Sequence, residues 1–290
     1  MAGFPLPGSA PAAVAAGAPG SGTGYWAGSP SAALDEDATF VIAYRLRMGA
    51  GPEDGAATVV ARSDDGERLV PVGTLDKSRF QAMSMERPAL VRTDDGRWRL
   101  YICCATPGSK HWWIALLEAD DPAGLADADA RIVFPGDEHT AVKDPLVRRT
   151  QRGWEAWICC HPLDEPDEED RMTTAYATSA DGLEWEWHGT VLAPRAGTWD
   201  ARGARVTAVL PGGQAAYDGR ATKEENWFER TGLARLTGRR PGELEQAGDE
   251  PVSDARYLDV LPLPDGGYRI YFEAPLPDGS HELRTELIRA

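Results

Sequence analysis

Five aromatic residues recur at nearly equal intervals along the chain. Tyr44, Tyr101, Trp157, Tyr217 and Tyr271 are separated by 57, 56, 60 and 54 residues, and each sits in a short apolar segment. A period that regular marks an array of equal structural units. Each anchor segment follows a turn such as Asp94-Asp95-Gly96 or Asp265-Gly266-Gly267. Each turn follows another apolar run, for example Pro88-Ala89-Leu90-Val91 or Asp259-Val260-Leu261-Pro262-Leu263. Two runs about a tight turn make a β-hairpin. Two further strands follow downstream, as at 58–61 and 68–72 around Ser63-Asp64-Asp65-Gly66, or 174–178 and 185–188 around Ser179-Ala180-Asp181-Gly182.

Four antiparallel strands per repeat and five repeats predict an all-β chain, a five-bladed β-propeller. A β-sandwich with coincidental spacing is the competing fold. The propeller is expected over 25–290 as a single domain. Residues 1–24, rich in Ala, Pro and Gly, are expected to be a tail.

Composition narrows the partners. Lys plus Arg is 30 against 46 Asp plus Glu, a net charge of −16. A field of that sign repels polyanions, so neither nucleic acid nor an anionic membrane is expected as a partner. No apolar run reaches the ~18 residues of a membrane span. The first 24 residues lack the basic and continuous apolar regions of a secretory signal. The four cysteines stand as adjacent pairs, Cys103-Cys104 and Cys159-Cys160. Neighbours on a strand face opposite ways, so they read as free thiols of a cytoplasmic protein. With five histidines and no ligand spacing, no metal is expected, and no nucleotide or cofactor motif is present.

Propeller topology brings the residues before each first strand, and those ending each second strand, to one mouth of the central channel. The first set includes Glu86, Arg87, Lys143, Asp144, Asp200, Arg202, Arg205, Arg256 and Tyr257. The second includes Arg45, Arg47, His161, Asp218, Arg220 and Glu273. Buried strand ends have no structural need for so many charges, since each is costly unless paired. Converging ionisable groups are the usual form of a site. Clamps of arginine and carboxylate between blades would leave the same trace in sequence.

The five-blade period, the acidic residue and proline opening inner strands (Glu86-Arg87-Pro88, Lys143-Asp144-Pro145) and the Ser-x-Asp-Gly turns resemble the five-bladed glycosidase superfamily. That group comprises glycoside hydrolase families 43, 62, 32 and 68, with the family 130 phosphorylases as relatives. The resemblance runs from about Tyr25 onwards and implies carboxylates at the mouth acting on a glycosidic bond. Carried onto this chain, Glu86 is the candidate acid, Asp144 the base or stabiliser beside Lys143, and Asp200 a third catalytic candidate. Arg45, Arg47, Arg87, His161, Arg202, Asp218, Arg220, Asn226, Arg256, Tyr257 and Glu273 are the candidate substrate contacts.

Two departures stand out. The first blade opens with Gly28-Ser29-Pro30-Ser31 where the hydrolases carry an Asp. The mouth is also rich in arginine, which favours an anionic ligand. Asn226 and Trp227, and Lys110 with Trp112, are further polar and aromatic pairs suited to a sugar. The acidic run 164–170 reads as a solvated loop. The expectation is a glycosidase- or phosphorylase-like enzyme acting, without a cofactor, on a carbohydrate or sugar-derived, anionic substrate. The alternative is a non-hydrolytic propeller that binds, or does other chemistry on, a small acidic metabolite or sugar phosphate.

Overall fold

Alternating β-branched and aromatic residues turn the apolar runs into strands. The computed structural model describes residues 3–49, 51 and 54–290. After β1 (Ala13–Ala16), unit I is β2 (Tyr25–Leu34), β3 (Phe40–Met48), β4 (Gly55–Ser63) and β5 (Val70–Asp76). Unit II is β6 (Ala89–Arg92), β7 (Trp98–Ala105), β8 (Trp112–Ala119) and β9 (Arg131–Phe134). Unit III is β10 (Thr140–Thr150), β11 (Gly153–Pro162), β12 (Thr173–Ser179) and β13 (Glu186–Leu192). Unit IV is β14 (Gly203–Val209), β15 (Gln214–Arg220), β16 (Arg230–Leu236) and β17 (Leu244–Gln246). Unit V is β18 (Arg256–Pro262), β19 (Tyr268–Pro275) and β20 (His281–Ile288), with β1 paired to β20 as its fourth strand.

Every unit is an antiparallel meander, and units V and I are joined by one parallel pair, Trp26 with His281. The chain is therefore all-β and built of four-stranded sheets. Its first strands touch in the closed order β2, β6, β10, β14, β18 and back to β2.

Within the segment expected as a tail, 13–16 is the outer strand of unit V. Phe4 is buried in the core beside Leu210 and Phe272. The Glu286 carboxylate accepts from Gly8 N at 2.7 Å and Ala10 N at 3.1 Å. An Ala/Gly/Pro composition conceals this, because edge-strand pairing is a backbone property.

The apolar cores lie between successive sheets. Leu100, Ile102 and Cys104 face unit I, while Tyr101 and Cys103 face unit III. Further clusters fill the III–IV, IV–V and V–I gaps. The recurring aromatics also hook the next unit's outer turn. The Tyr101 hydroxyl donates to Gly182 O (2.9 Å), Trp157 Nε1 to Gly242 O (3.2 Å) and the Tyr271 hydroxyl to Gly66 O (2.8 Å). Those three glycines have φ between 67° and 75°, which the Ser-x-Asp-Gly turns of Gly66 and Gly182 and the Pro241-Gly242 turn need.

The first strands are bulged where they reach the middle of the molecule. Register shifts fall between Gly28 and Ser31, Lys143 and Leu146, and Arg256 and Asp259. Inside them Ser29, Asp144 and Tyr257 have φ of 51°, 49° and 50°. Left-handed backbone at a non-glycine residue costs about 1–2 kcal/mol and must be held by its surroundings. A bulge re-aims side chains, and here it turns them inward.

Candidate active site

The bulged strand openings and the ends of the second strands enclose a cavity of about 360 Å³. Glu86, Lys143, Arg205, Arg220, Arg256 and Tyr257 line it. A larger groove of about 730 Å³ lies between units III and IV, at the β10–β11 turn (around Gly153) and around Pro241. It contains none of the residues expected to be catalytic, and what singles out the smaller cavity is its convergence of buried charge.

Tyr257 is the hub. Its hydroxyl stands 3.2 Å from Glu86 Oε2 and 3.4 Å from Asp144 Oδ2, and accepts from Arg205 Nη1 at 2.8 Å. The Arg205 guanidinium lies 3.8 Å from the centre of the tyrosine ring. The shared phenol keeps the two carboxylate oxygens no more than about 6.6 Å apart, the two distances laid end to end. Glu86 is 9% exposed and faces the cavity, whereas Asp144 is sealed beneath it. Arg87 N donates to Asp144 Oδ1 at 3.0 Å, and Arg205 Nη1 lies 2.8 Å from Oδ2. Burial pushes the Asp144 carboxyl up, but Lys143 and then Arg205 outweigh it and hold it at about 2.

Around this pair runs a chain of alternating charge. Glu86 pairs with Arg45, Arg45 with Glu273 (3.2 Å), and Glu273 with Arg256 (3.0 Å). Arg256 pairs with Glu229 (2.8 Å), Glu229 with Arg220 (2.6 Å), Arg220 with Asp170 (3.3 Å) and Asp170 with Arg202 (2.7 Å). Arg205 closes a branch onto Asp218 at 2.6 Å. The arginine excess read from sequence is thus matched by carboxylates, two of them at residues the sequence reading left out of the site, Asp170 and Glu229. The acidic run 164–170 is correspondingly tied down, with Arg202 also bonded to Glu168 at 2.9 Å.

The remaining expected residues fall in several places. Arg47, His161 and Asn226 line the cavity. Glu273 and Asp218 are fully buried behind it and orient arginines. Glu273 also takes His281 Nδ1 at 2.6 Å, and it fills the space a side chain at Gly28 would need. Arg87 turns away, donating to Pro30 O and Thr207 O and pairing with Asp259 at 3.2 Å. Asp200 does not join the others. Its partners are Arg195, Thr198 and Tyr217, none of which lines the cavity.

Trp227 holds a φ of 79°, and its carbonyl accepts from Arg256 at 3.1 Å, which fixes its ring on the cavity wall against Trp26. Cys159 and His161 are 3.5 Å apart but form no nucleophile and base. Burial pushes the thiol up to about 12 and, with Lys143 and Arg220, pulls the imidazole down to about 3. Among the described residues no cluster of three His, Cys, Asp or Glu is arranged to hold a metal, and no helix is long and apolar enough to cross a membrane.

No family model matches the sequence, and no curated protein does. Solved structures do match. A β-1,2-mannobiose phosphorylase from Listeria innocua superposes with a TM-score of 0.62 at 13% identity, over 92% of this chain and 90% of that one. An α-L-arabinofuranosidase from Lactobacillus brevis gives 0.64 at 16% identity, over 90% of each chain. A glycosyl hydrolase from Bacteroides ovatus gives 0.58 at 13% identity, over 91% and 86%. The chain shares its fold with these three structures.

Proposed function

We propose that this chain is a five-bladed β-propeller enzyme that acts on the glycosidic bond of a sugar or sugar-derived substrate held at the channel mouth. The closed order of first strands and the cores between successive sheets support five blades, with 25–290 as one domain that β1 completes. The four unbridged cysteines support a reducing, cytoplasmic setting.

The observation that carries the activity is the shared Tyr257 hydroxyl, which sets one accessible carboxylate beside one sealed and ionised carboxylate. Glu86 is the group that meets the glycosidic oxygen. Asp144 acts from behind, fixing the charge of Arg205 and the orientation of Tyr257. Glu86 as a single proton-transferring group suits an attacking group that brings its own charge, such as phosphate, while the further carboxylates on the wall, Glu169 and Asp170, suit water.

The test is a panel of aryl glycosides and oligosaccharides assayed with and without inorganic phosphate. Glu86→Gln is expected to lower kcat by about 10²–10⁴-fold, the usual contribution of a proton-transferring carboxylate. Turnover unchanged in that variant removes the assignment.

A second reading rests on a specific observation. Glu86 carries Arg45 and Asp144 carries Arg205, as expected of clamps in a propeller that only binds. Titration calorimetry with sugars, sugar phosphates and acidic metabolites separates the two, since binding without turnover favours the second.

A further inference from the structure

Four arginines at the mouth are committed to carboxylates, and Arg47 to Gly49 O and the Trp26 ring, which changes where an anionic group of the substrate would be received. Arg45, Arg205, Arg220 and Arg256 are each shared between two carboxylates. Lys143 differs. Its Nζ lies 3.9 Å from Asp144 Oδ2, beyond hydrogen-bonding range, and among the described residues it donates no hydrogen bond. Its other contact is the Trp112 ring, whose centre is 5.0 Å away. The side chain is only 14% exposed and faces the same cavity as Glu86. An ammonium with three donors on the cavity wall, and no hydrogen-bond acceptor among the described residues, has donors to offer a ligand. Lys110, exposed on the same wall, adds positive charge at the rim.

We infer that the substrate is a hexuronic acid glycoside, with Lys143 receiving the carboxylate of the sugar and Trp112 lying along its ring. The inference rests on the glycosidic-bond reading and adds the substrate class. The pairing of ammonium and indole selects a carboxylated pyranose over a bare oxyanion. The apolar face of a pyranose uses an aromatic wall, and inorganic phosphate has no use for one. Lysine as a point charge accommodates a carboxylate whose angle is set by the sugar ring.

The test compares matched pairs of aryl uronides and aryl glycosides (glucuronide with glucoside, galacturonide with galactoside, mannuronide with mannoside) on the wild-type protein, Lys143→Met and Lys143→Arg. The wild type is expected to favour one uronide over its neutral partner by about tenfold or more in kcat/KM, the size of a charge-assisted hydrogen bond. Lys143→Met should lower that ratio by about the same factor, chiefly through KM, and Lys143→Arg should restore much of it. A ratio cancels any loss common to both substrates. A wild-type ratio near one, or a ratio unchanged in a Lys143→Met protein that still melts cooperatively, overturns the inference. So does a Lys143→Met effect seen only in the dependence of turnover on inorganic phosphate.

Calorimetry with free hexuronic acids and their parent hexoses keeps this test separate from the one above. Uronate binding weakened about tenfold by Lys143→Met, with no turnover of any glycoside, supports the Lys143 subsite and counts against the glycosidic-bond reading alone. Equal binding of the acid and the neutral sugar, or no binding of either, overturns the subsite.

Discussion

Asp144 and Asp200 are buried in nearly the same company. Both are fully buried, and both lie at or just before the start of a unit. Asp144 Oδ2 is 2.8 Å from Arg205 and 3.4 Å from the Tyr257 hydroxyl. Asp200 Oδ2 is 3.1 Å from Arg195 and accepts from the Tyr217 hydroxyl at 2.7 Å. Their partners' other commitments separate them. Arg195 is partly exposed and reaches outward to Gly248 O and Asp249. Tyr217 stacks on Trp199, which closes over Gly219. Arg205 and Tyr257 instead line the cavity and are shared with Asp218 and Glu86. An arginine–aspartate–tyrosine trio is a general way to bury a carboxylate. It becomes part of a site when its members also serve a second carboxylate that a ligand can reach.

Removing the arginine from each trio gives the largest contrast. Arg205→Met takes from two buried carboxylates, Asp144 and Asp218, the guanidinium they share, and breaking buried pairs of this kind costs about 3–5 kcal/mol. Denaturant unfolding should register that loss, and turnover should vanish with it. Arg195→Met likewise takes the one ion-pair partner from a fully buried carboxylate, leaving Asp200 with the hydroxyls of Thr198 and Tyr217, so a loss of similar size, about 3–5 kcal/mol, is expected, but with kcat/KM per folded molecule retained. Loss of activity in the Arg195 variant, or activity kept in the Arg205 variant, would erase the distinction between the two regions.

Acid separates the site from its surroundings more gently. Asp144 and Glu229 are both held at about 2. For Glu229 burial opposes the shift, and Arg256, Arg205 and Arg220 outweigh it. Their folded values lie below the unfolded ones, so their contribution is complete above about pH 4.5 and drains away as the pH falls towards 2. Each is worth about 2–3 kcal/mol at neutral pH. Asp259 runs the other way, since burial, only partly offset by Arg87, raises it to about 6. As the pH falls from 6 to 4 the folded form takes up that proton first and gains stability. Melting temperature against pH should therefore show a shallow maximum near pH 4.5–5 and a steep fall below it. A flat profile between pH 5 and 2.5 would mean that the ion network of the mouth contributes nothing.

The units were legible in sequence because aromatic anchors and Ser-x-Asp-Gly turns obey local rules: Tyr101 and Tyr271 must fill a core, and Gly66 and Gly182 must take positive φ. Glu86, Arg205 and Tyr257 could be gathered to one mouth because strand order alone does that. Pairings were not legible. Nothing local states that Arg45 serves both Glu86, 41 positions on, and Glu273, 228 positions on, or that Arg202 and Arg220 meet at Asp170. Charges counted from one end of each strand therefore looked like an arginine excess, while Asp170 sat in a loop read as solvated and Glu229 lay outside the residues gathered at the mouth. The bulges were hidden too. They give Ser29 the same backbone in unit I that Asp144 has in unit III, and Glu273 from unit V fills the space beside it.

The two tyrosines give the smallest contrast and the most specific one. Tyr217→Phe deletes one hydrogen bond to Asp200, whose other partners remain, so about 1 kcal/mol of stability should go and kinetics should stay. Tyr257→Phe should cost a similar amount of stability, because the ring stays packed among the guanidiniums of Arg45, Arg205 and Arg256. Its hydroxyl has one proton and two carboxylate neighbours, and burial pushes its ionisation well above the usual range, so it stays a donor at working pH. Removing that donor leaves Glu86 to Arg45 alone and frees Asp144 from the link to Glu86. The pH–rate profile of Tyr257→Phe should therefore shift on its acid limb, with kcat falling more than KM changes. The Tyr217→Phe profile should overlay the wild type. If both variants keep the wild-type profile, the tyrosine that joins the two carboxylates is a packing residue, and the Asp144 trio differs from the Asp200 trio only in what lies above it.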